Sequence, residues 1–506
     1  STNETAGDRR IYLEAMVDYN RTFGRHDVNA MLLYNQDELV NNVPGNNLIN
    51  SLPKRKQGLA GRLSYAYDGK YMAEVNMGYN GSENFAKGHR WGFFPSIALG
   101  YNISEESFFE PLRKVITSMK LRGSWGLVGN DQIGGERFIY MPTINLSGKG
   151  FTTGIDQNYG LSGPVYTRYE NNSITWEVGE KINLGIDLQL LNSLNIVVDI
   201  FRETRRDIFQ KKGTIPTYLG TGNTDVFGNL AEMKNQGLDL SIDYNKAFSK
   251  DFYMNFKGTF TYAHNEITKY DEAPKYAFQS KVGQSANVSQ GYLSNGLFLD
   301  EAEIDRYNQQ MGSTLGAGDI KYLNVSNMHG YGDDIVDVDD WTWIGNPTVP
   351  EIVYGFGPSF KYKNWDFSFF FQGVAKTSLF MSGFHPFGDN SLRNVLQFVA
   401  NDRWSPTNQN VDAKYPRLTR KTSLNNTNPG NSGRTSDYWM RDGSFLKLKN
   451  MELGYTFKRM RFYISGSNLL TFSKFDLWDP EQGGGSGLKS PTQRVFNVGF
   501  QMTFNN

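Results

Sequence analysis

Apolar and polar residues alternate along most of this chain. In LSYAYDGKYMAEVNMGYN, Leu63, Tyr65 and Tyr67 share one face, Asp68-Gly69 reads as a two-residue hairpin turn, and Tyr71, Ala73, Val75, Met77 and Tyr79 follow on the returning strand. Glu74, Asn76 and Asn80 take the other face. The pattern returns where Ile182, Leu184, Ile186, Leu188 and Leu190 alternate with Asn183, Asp187 and Gln189, and where Leu238, Leu240 and Ile242 alternate with Asp239, Ser241 and Asp243. Near the C-terminus Phe462, Ile464 and Gly466 oppose Tyr463, Ser465 and Ser467.

Roughly 15 such strands of about ten residues, the length a tilted strand needs to cross a bilayer, can be counted. They begin near residues 11, 26, 58, 70, 91, 117, 181, 194, 236, 252, 351, 365, 445, 460 and 493. Their connections alternate in length. Thr22 to Arg25, Asp68-Gly69, Leu191 to Ser193, Asn245 to Asp251, Lys363-Asn364 and Lys458 to Met460 are short, with Ile103 to Thr117 the longest on that side. Between them lie Val128 to Glu180, His264 to Pro350 and Val374 to Ser444. Short turns on one side and long loops on the other are the plan of an outer-membrane barrel, turns periplasmic and loops outside. The fold expected is therefore all-β, a transmembrane antiparallel β-barrel with long extracellular loops. A tandem β-sandwich also alternates, but gives no reason for loop length to alternate along the whole chain. One loop segment, Ser391 to Trp404, has Leu392, Val395, Leu396 and Val399 at helical spacing and reads as a helix.

Composition narrows the chemistry. Aromatic residues make up 14% of the 506 and glycines number 53, while no apolar run is long enough for a membrane helix. The 52 basic and 52 acidic residues cancel without forming a basic block, which argues against a nucleic-acid surface. Cysteine is absent and histidines number five, so thiolate chemistry is excluded and a zinc site disfavoured. No His-Glu-x-x-His, Gly-x-Ser-x-Gly or P-loop pattern occurs, and an enzyme is not expected.

The segment GSNLLTFSKFDLWDPE, Gly466 to Glu481, resembles the C-terminal motif of the SusC-like TonB-dependent outer-membrane transporters of the Bacteroidetes (RagA/SusC type). RVFNVGFQMTF resembles that family's last strand, with Phe496, Val498, Phe500, Met502 and Phe504 towards lipid. NDRWSPTNQN, GSFLKLKNMELGYTF, SMKLRGSWGLVGN and VGQSANVSQGYLSNGLF match as well, so the likeness covers nearly the whole chain. It departs at the very end, where Asn505 and Asn506 follow the terminal aromatic.

The resemblance implies a multi-pass outer-membrane protein importing a nutrient oligomer, most often an oligosaccharide and sometimes a peptide. A SusD-like surface lipoprotein would form its lid and the TonB complex would supply energy through a plug. Two transporter–lid pairs would assemble together. Family members carry a plug, a TonB box and the first barrel strands ahead of any match, so residues 1–506 are expected to be the C-terminal part of such a barrel. In a wall of about 22 strands, roughly seven would precede Ser1. A passive porin-like channel, or a surface receptor or adhesin barrel, stays open as an alternative.

The resemblance also reaches the loop Asn327 to Pro347, similar to a family pattern of Asp-x-Asn-x-Asp-Gly-x-Ile-Asp-x-x-Asp followed by Gly-Asn-Pro. Asp333, Asp337 and Asp340 fall on its acidic positions, implying Ca²⁺ or Mg²⁺ on oxygen ligands. The first two ligand positions fall instead on His329 and Tyr331, and the turn glycine on Asp334. Beside this loop Trp341 and Trp343 are candidates for stacking on cargo, with packing inside the loop as their other reading.

Overall fold

The computed structural model describes residues 7–41, 52–134, 137–216, 218, 224–307, 309–310, 315–381, 395–418 and 435–504. A 15-stranded sheet runs in sequence order, each long strand beside the next. Its strands are β1 (Asp8–Phe23), β2 (His26–Asn41), β3 (Lys54–Tyr67), β4 (Tyr71–Ser82), β5 (Trp91–Asn102), β6 (Ile116–Asn130), β7 (Glu177–Leu190), β8 (Leu194–Lys211), β9 (Phe227–Ala247), β10 (Phe252–Lys269), β11 (Ile352–Tyr362), β12 (Trp365–Ala375), β13 (Phe445–Phe457), β14 (Met460–Ser473) and β15 (Val495–Met502). The expected strands are all present, several longer than ten residues. The chain divides into two compact units, Ser1–Leu240 with His264–Ala273, and Ser241–Ala263 with Pro274–Asn506.

In the first unit the alternation becomes two chemically distinct faces. Leu99, Gly123, Leu184 and Ile200 lie in one cross-strand row through β5, β6, β7 and β8, and Tyr101, Leu121, Ile186 and Val198 in the next. The large apolar members of the first row are exposed. At the two ends of β4 and β5 on this face, Tyr71 stacks on Tyr101 (5.1 Å between ring centroids) and Tyr79 on Trp91 (4.8 Å). Eight residues separate Tyr71 from Tyr79, a rise of about 27 Å, matching an apolar band flanked by aromatic girdles. Asp68 and Gly69 both have positive φ, 55° and 65°, as a tight hairpin turn requires.

The wet face is ionic. Arg122 on β6 reaches Asp187 on β7 (3.0 Å) and grips Asp199 on β8 through two nitrogens at 2.7 and 2.6 Å. A Cβ on Gly185 would lie 2.6 Å from the guanidinium carbon, so the glycine of the middle strand lets the arginine cross it. The second unit uses the same device: Arg461 on β14 binds Glu452 on β13 (2.5 Å) and Asp366 on β12, crossing Gly454. Two-handed binding of a carboxylate fixes the arginine and locks the register of three strands.

The helix expected over Ser391 to Trp404 is a single turn, Gln397–Asn401, and residues 391–394 lie outside the described ones. Only Val399 of this turn is buried, and so short a helix is not stable by itself. Beyond it Trp404 donates its backbone N–H to Tyr415 and packs into a loop core.

Candidate functional site

In the second unit the connections β10–β11, β12–β13 and β14–β15 fold together. Tyr292, Leu297, Ile320, Tyr322, Met381, Trp404, Tyr415, Trp439 and Phe475 belong to one buried apolar cluster drawn from all of them. Main-chain bonds stitch the loops to each other, Tyr292 N–H to Thr435 O (2.8 Å), Leu297 N–H to Val411 O (2.9 Å) and Gly485 N–H to Phe380 O (2.8 Å), while Met381 N–H to Trp439 O (3.0 Å) closes the β12–β13 connection on itself. Buried Asp319 takes a bidentate grip from Arg417, 2.5 and 2.9 Å. That contact holds Arg417 above its ordinary pKa. A hydrophobic core of its own makes the described parts of these loops a folded body.

The strand segment FLKLKNMEL shows how this body is tied to the sheet. Simple alternation would put Lys447 and Lys449 on the apolar face with Met451 and Leu453. Instead the register of β13 shifts against both neighbours around Lys449. Such a bulge reverses the sense of the side chains beyond it. Leu448, itself buried, then pairs with exposed Leu470, and Lys447, only 1% exposed, meets Asp479 at 2.5 Å and Glu481 at 2.8 Å. Lys449 also reaches Glu481, at 2.8 Å. The Asp-Pro-Glu triplet of the last loop is thus the counter-charge of a buried lysine. Burial pushes both acids up, but hydrogen bonds and charge from the lysines prevail and hold them below their ordinary values.

The acidic loop is arranged around backbone donors. Asp340, fully buried, accepts from the N–H of Ser326 (2.9 Å) and of Asp337 (2.8 Å), while Asp337 accepts from the N–H of Asp339 (2.8 Å). Asp333 takes the Ser326 hydroxyl at 3.0 Å and the Asn324 amide at 3.2 Å. Burial raises the Asp340 carboxyl. Among the described residues no group of three or more acidic or histidine side chains is disposed to hold a metal ion. At the places of the missing ligands, His329 stacks on Phe278 (4.6 Å) and Tyr331 packs at a tilt against Tyr276 (4.2 Å). Lys275 adds a bond to Asp339 and lies over the Tyr276 ring.

Trp341 is half-buried against the loop core, edge-on to Tyr292 at 6.0 Å, and Trp343, also half-buried, donates its indole N–H to Ser280 O at 2.9 Å. Both rings are packed within the loop. The ring ladder of Tyr276, Phe278, His329 and Tyr331 was not foreseen; its one sequence signal is the pair of aromatic residues at ligand positions.

Comparison with known proteins decides what these faces and loops belong to. Residues 2–469 match the family model described as TonB dependent receptor-like, beta-barrel. The chain belongs to that family. This TonB-dependent receptor barrel is similar to TonB-dependent receptor P3 of Formosa agariphila, 26% identical over 481 residues, 88% of this chain and 45% of the relative. It is also similar to TonB-dependent receptor SusC of Bacteroides thetaiotaomicron, 27% identical over 471 residues, 88% of this chain and 43% of the relative. The chain spans about half the length of the curated relatives it matches. Among solved structures the RagAB peptide transporter aligns over 99% of this chain and 56% of that one, with a TM-score of 0.72 at 20% identity, a likeness of fold. The protein is thus a SusC-like outer-membrane β-barrel and not an enzyme. In this receptor barrel the apolar rows face lipid, the arginine–carboxylate face lines the interior, and the folded loops lie outside the cell.

Proposed function

We propose that this chain supplies barrel wall, polar interior and external loops to a transporter that imports a nutrient oligomer, an oligosaccharide in the first instance and an oligopeptide as the second reading. A SusD-like surface lipoprotein covers the loops, and a plug-bearing segment of the same transporter couples to the TonB complex. Two transporter–lid pairs form the working assembly. The observation that supports this best is the folded loop body of the second unit, held by its own core and by the Lys447 ion pairs. A passive pore has no use for a cored external body, whereas a lid needs a firm seat. The similarity to SusC, and to a solved structure named as a peptide transporter, supports the same reading.

The test is purification from outer membranes in mild detergent, with mass spectrometry of all co-purifying chains, alongside uptake of labelled oligosaccharides and peptides. A plug-bearing segment and a lipoprotein should co-purify, and uptake should stop when the inner-membrane proton gradient is collapsed. Isolation of this polypeptide alone, with conductance indifferent to the gradient, would make it a porin; cargo binding without uptake would make it a receptor.

For Asp333, Asp337 and Asp340 we favour loop capping over a Ca²⁺ or Mg²⁺ ion, because their oxygens already accept N–H and O–H bonds. EDTA treatment should leave protease protection of residues 327–347 unchanged. New cleavage there on chelation, reversed by Ca²⁺, would reinstate the ion.

A further inference from the structure

The longest connection on the short-turn side, between β5 and β6, exposes large apolar side chains where a periplasmic turn should be polar. Phe108 is 66% exposed, Leu112 51% and Val115 57%. The segment is nonetheless ordered. Phe109 is buried, Arg113 donates to the Ser104 carbonyl at 2.8 Å and lies 4.0 Å from Glu105, and consecutive turns run through Ser107–Leu112. The neighbouring β7–β8 turn adds to it: Leu191, 60% exposed, donates its N–H to the Val115 carbonyl at 2.8 Å.

This apolar strip continues the face that meets lipid. Val115 leads into Ile116, paired with Leu190 at the end of the apolar row of β7. Glu106, in the same connection, accepts from the Tyr71 hydroxyl at 2.6 Å and the Tyr101 hydroxyl at 3.4 Å, the stacked pair of the aromatic girdle, and lies 3.7 Å from Lys70. The segment is therefore suspended from the girdle at the level of the lipid headgroups. Apolar groups left in water lose about 25 cal/mol per Å², and exposed patches of this kind mark interaction surfaces.

We propose that Phe108, Leu112, Val115 and Leu191 form a foot that dips into the phospholipid leaflet on the periplasmic side. The apolar side chains enter the boundary between headgroups and acyl chains. Lys114, exposed between Leu112 and Val115, stays at phosphate level, while Glu105 and Glu110 remain in water. The foot anchors the rim of the wall beside β5 to β8. It rests on the outer-membrane placement of the barrel and not on the import reading, so either can fail alone.

The absence of cysteine makes the test direct. In the full transporter, freed of any cysteine elsewhere and placed in phosphatidylethanolamine/phosphatidylglycerol nanodiscs, nitroxides are attached through Phe108→Cys, Leu112→Cys and, as the aqueous control, Glu110→Cys. All three sites are exposed, so the labels need no repacking. At 108 and 112 the ratio of oxygen to water-soluble nickel accessibility should exceed that at 110 several-fold, and doxyl-labelled phospholipid should broaden only those two signals. Ratios at 108 and 112 equal to that at 110 would overturn the foot. Immobilised labels reached by neither relaxant would overturn it too, showing that another polypeptide covers the strip.

Discussion

Replacing Asp479 and Glu481 together by Asn and Gln should loosen the external loop body by about 3–5 kcal/mol, the cost of leaving a buried charge without its partner. Lys447 is the reason: it is 1% exposed and its two counter-charges are those acids. The measurement is unfolding of the purified transporter in detergent, followed by protease cleavage within residues 270–351 and 474–494. Adding Lys447→Met to the double amide should recover most of the loss, because removing charge and counter-charge together is often close to neutral. No loss in the double amide would mean that the lysine has found water or another acceptor. The same residues set an acid limit. Since Asp479 and Glu481 are held below their ordinary values, their contribution is fully present above the unfolded carboxylate range near about 4. It is lost as pH falls through the lower folded values. Wild-type loops should therefore become protease-sensitive in strong acid, and the double amide should lack that transition.

Truncating the centre of the same body should have an effect of similar size. Trp439 is fully buried, lies 6.4 Å between rings from Tyr415 of its own connection, and shares its apolar cluster with Tyr292, Tyr322 and Phe475 of the other two. Trp439→Ala should cost about 3–5 kcal/mol in transfer and cavity terms. The expected outcome is local: cleavage in the three loops accelerates and uptake falls, while the barrel accumulates normally in the outer membrane, because the strands keep their ladder bonds. Unchanged loop protection would show that these loops do not share one cooperative core. Loss of the barrel itself would show that the loop body is required for assembly.

The strands were legible because their signal is local. Charge against grease at a period of two, interrupted by turns such as Asp68-Gly69, is visible without knowing any neighbour. The starts read near 26, 91, 194, 252, 365, 445 and 460 coincide with observed ones. The start near 236 fell nine residues late, since β9 begins at Phe227. FGNLAEMKNQ has no clean alternation; the strand is extended by its neighbour, which ends at Lys211, with Lys212 N–H bonded to Val226 O at 2.8 Å. The helix over Ser391 to Trp404 was read from spacing alone, and long-range pairing with Tyr415 took its last residue.

The candidate site was far less legible. Its acids and tryptophans could be named, but their employment depends on groups distant in the chain. Asp340 is committed to Ser326, and Trp343 to Ser280. The Arg122 and Arg461 bridges each join three strands and require a glycine on the middle one, a relation that no single segment displays.

By itself the sequence determined the strand meander, the two faces, the side on which the loops are long, and the absence of membrane helices, because each follows from periodicity and length. Only the tertiary structure decided which way Lys447 points, what Asp479 and Glu481 neutralise, and that three loops share a core. Those outcomes depend on a one-residue register shift in β13 and on contacts between loops far apart in the chain, and a register shift leaves the local alternation pattern almost untouched while reversing the direction of every side chain beyond it.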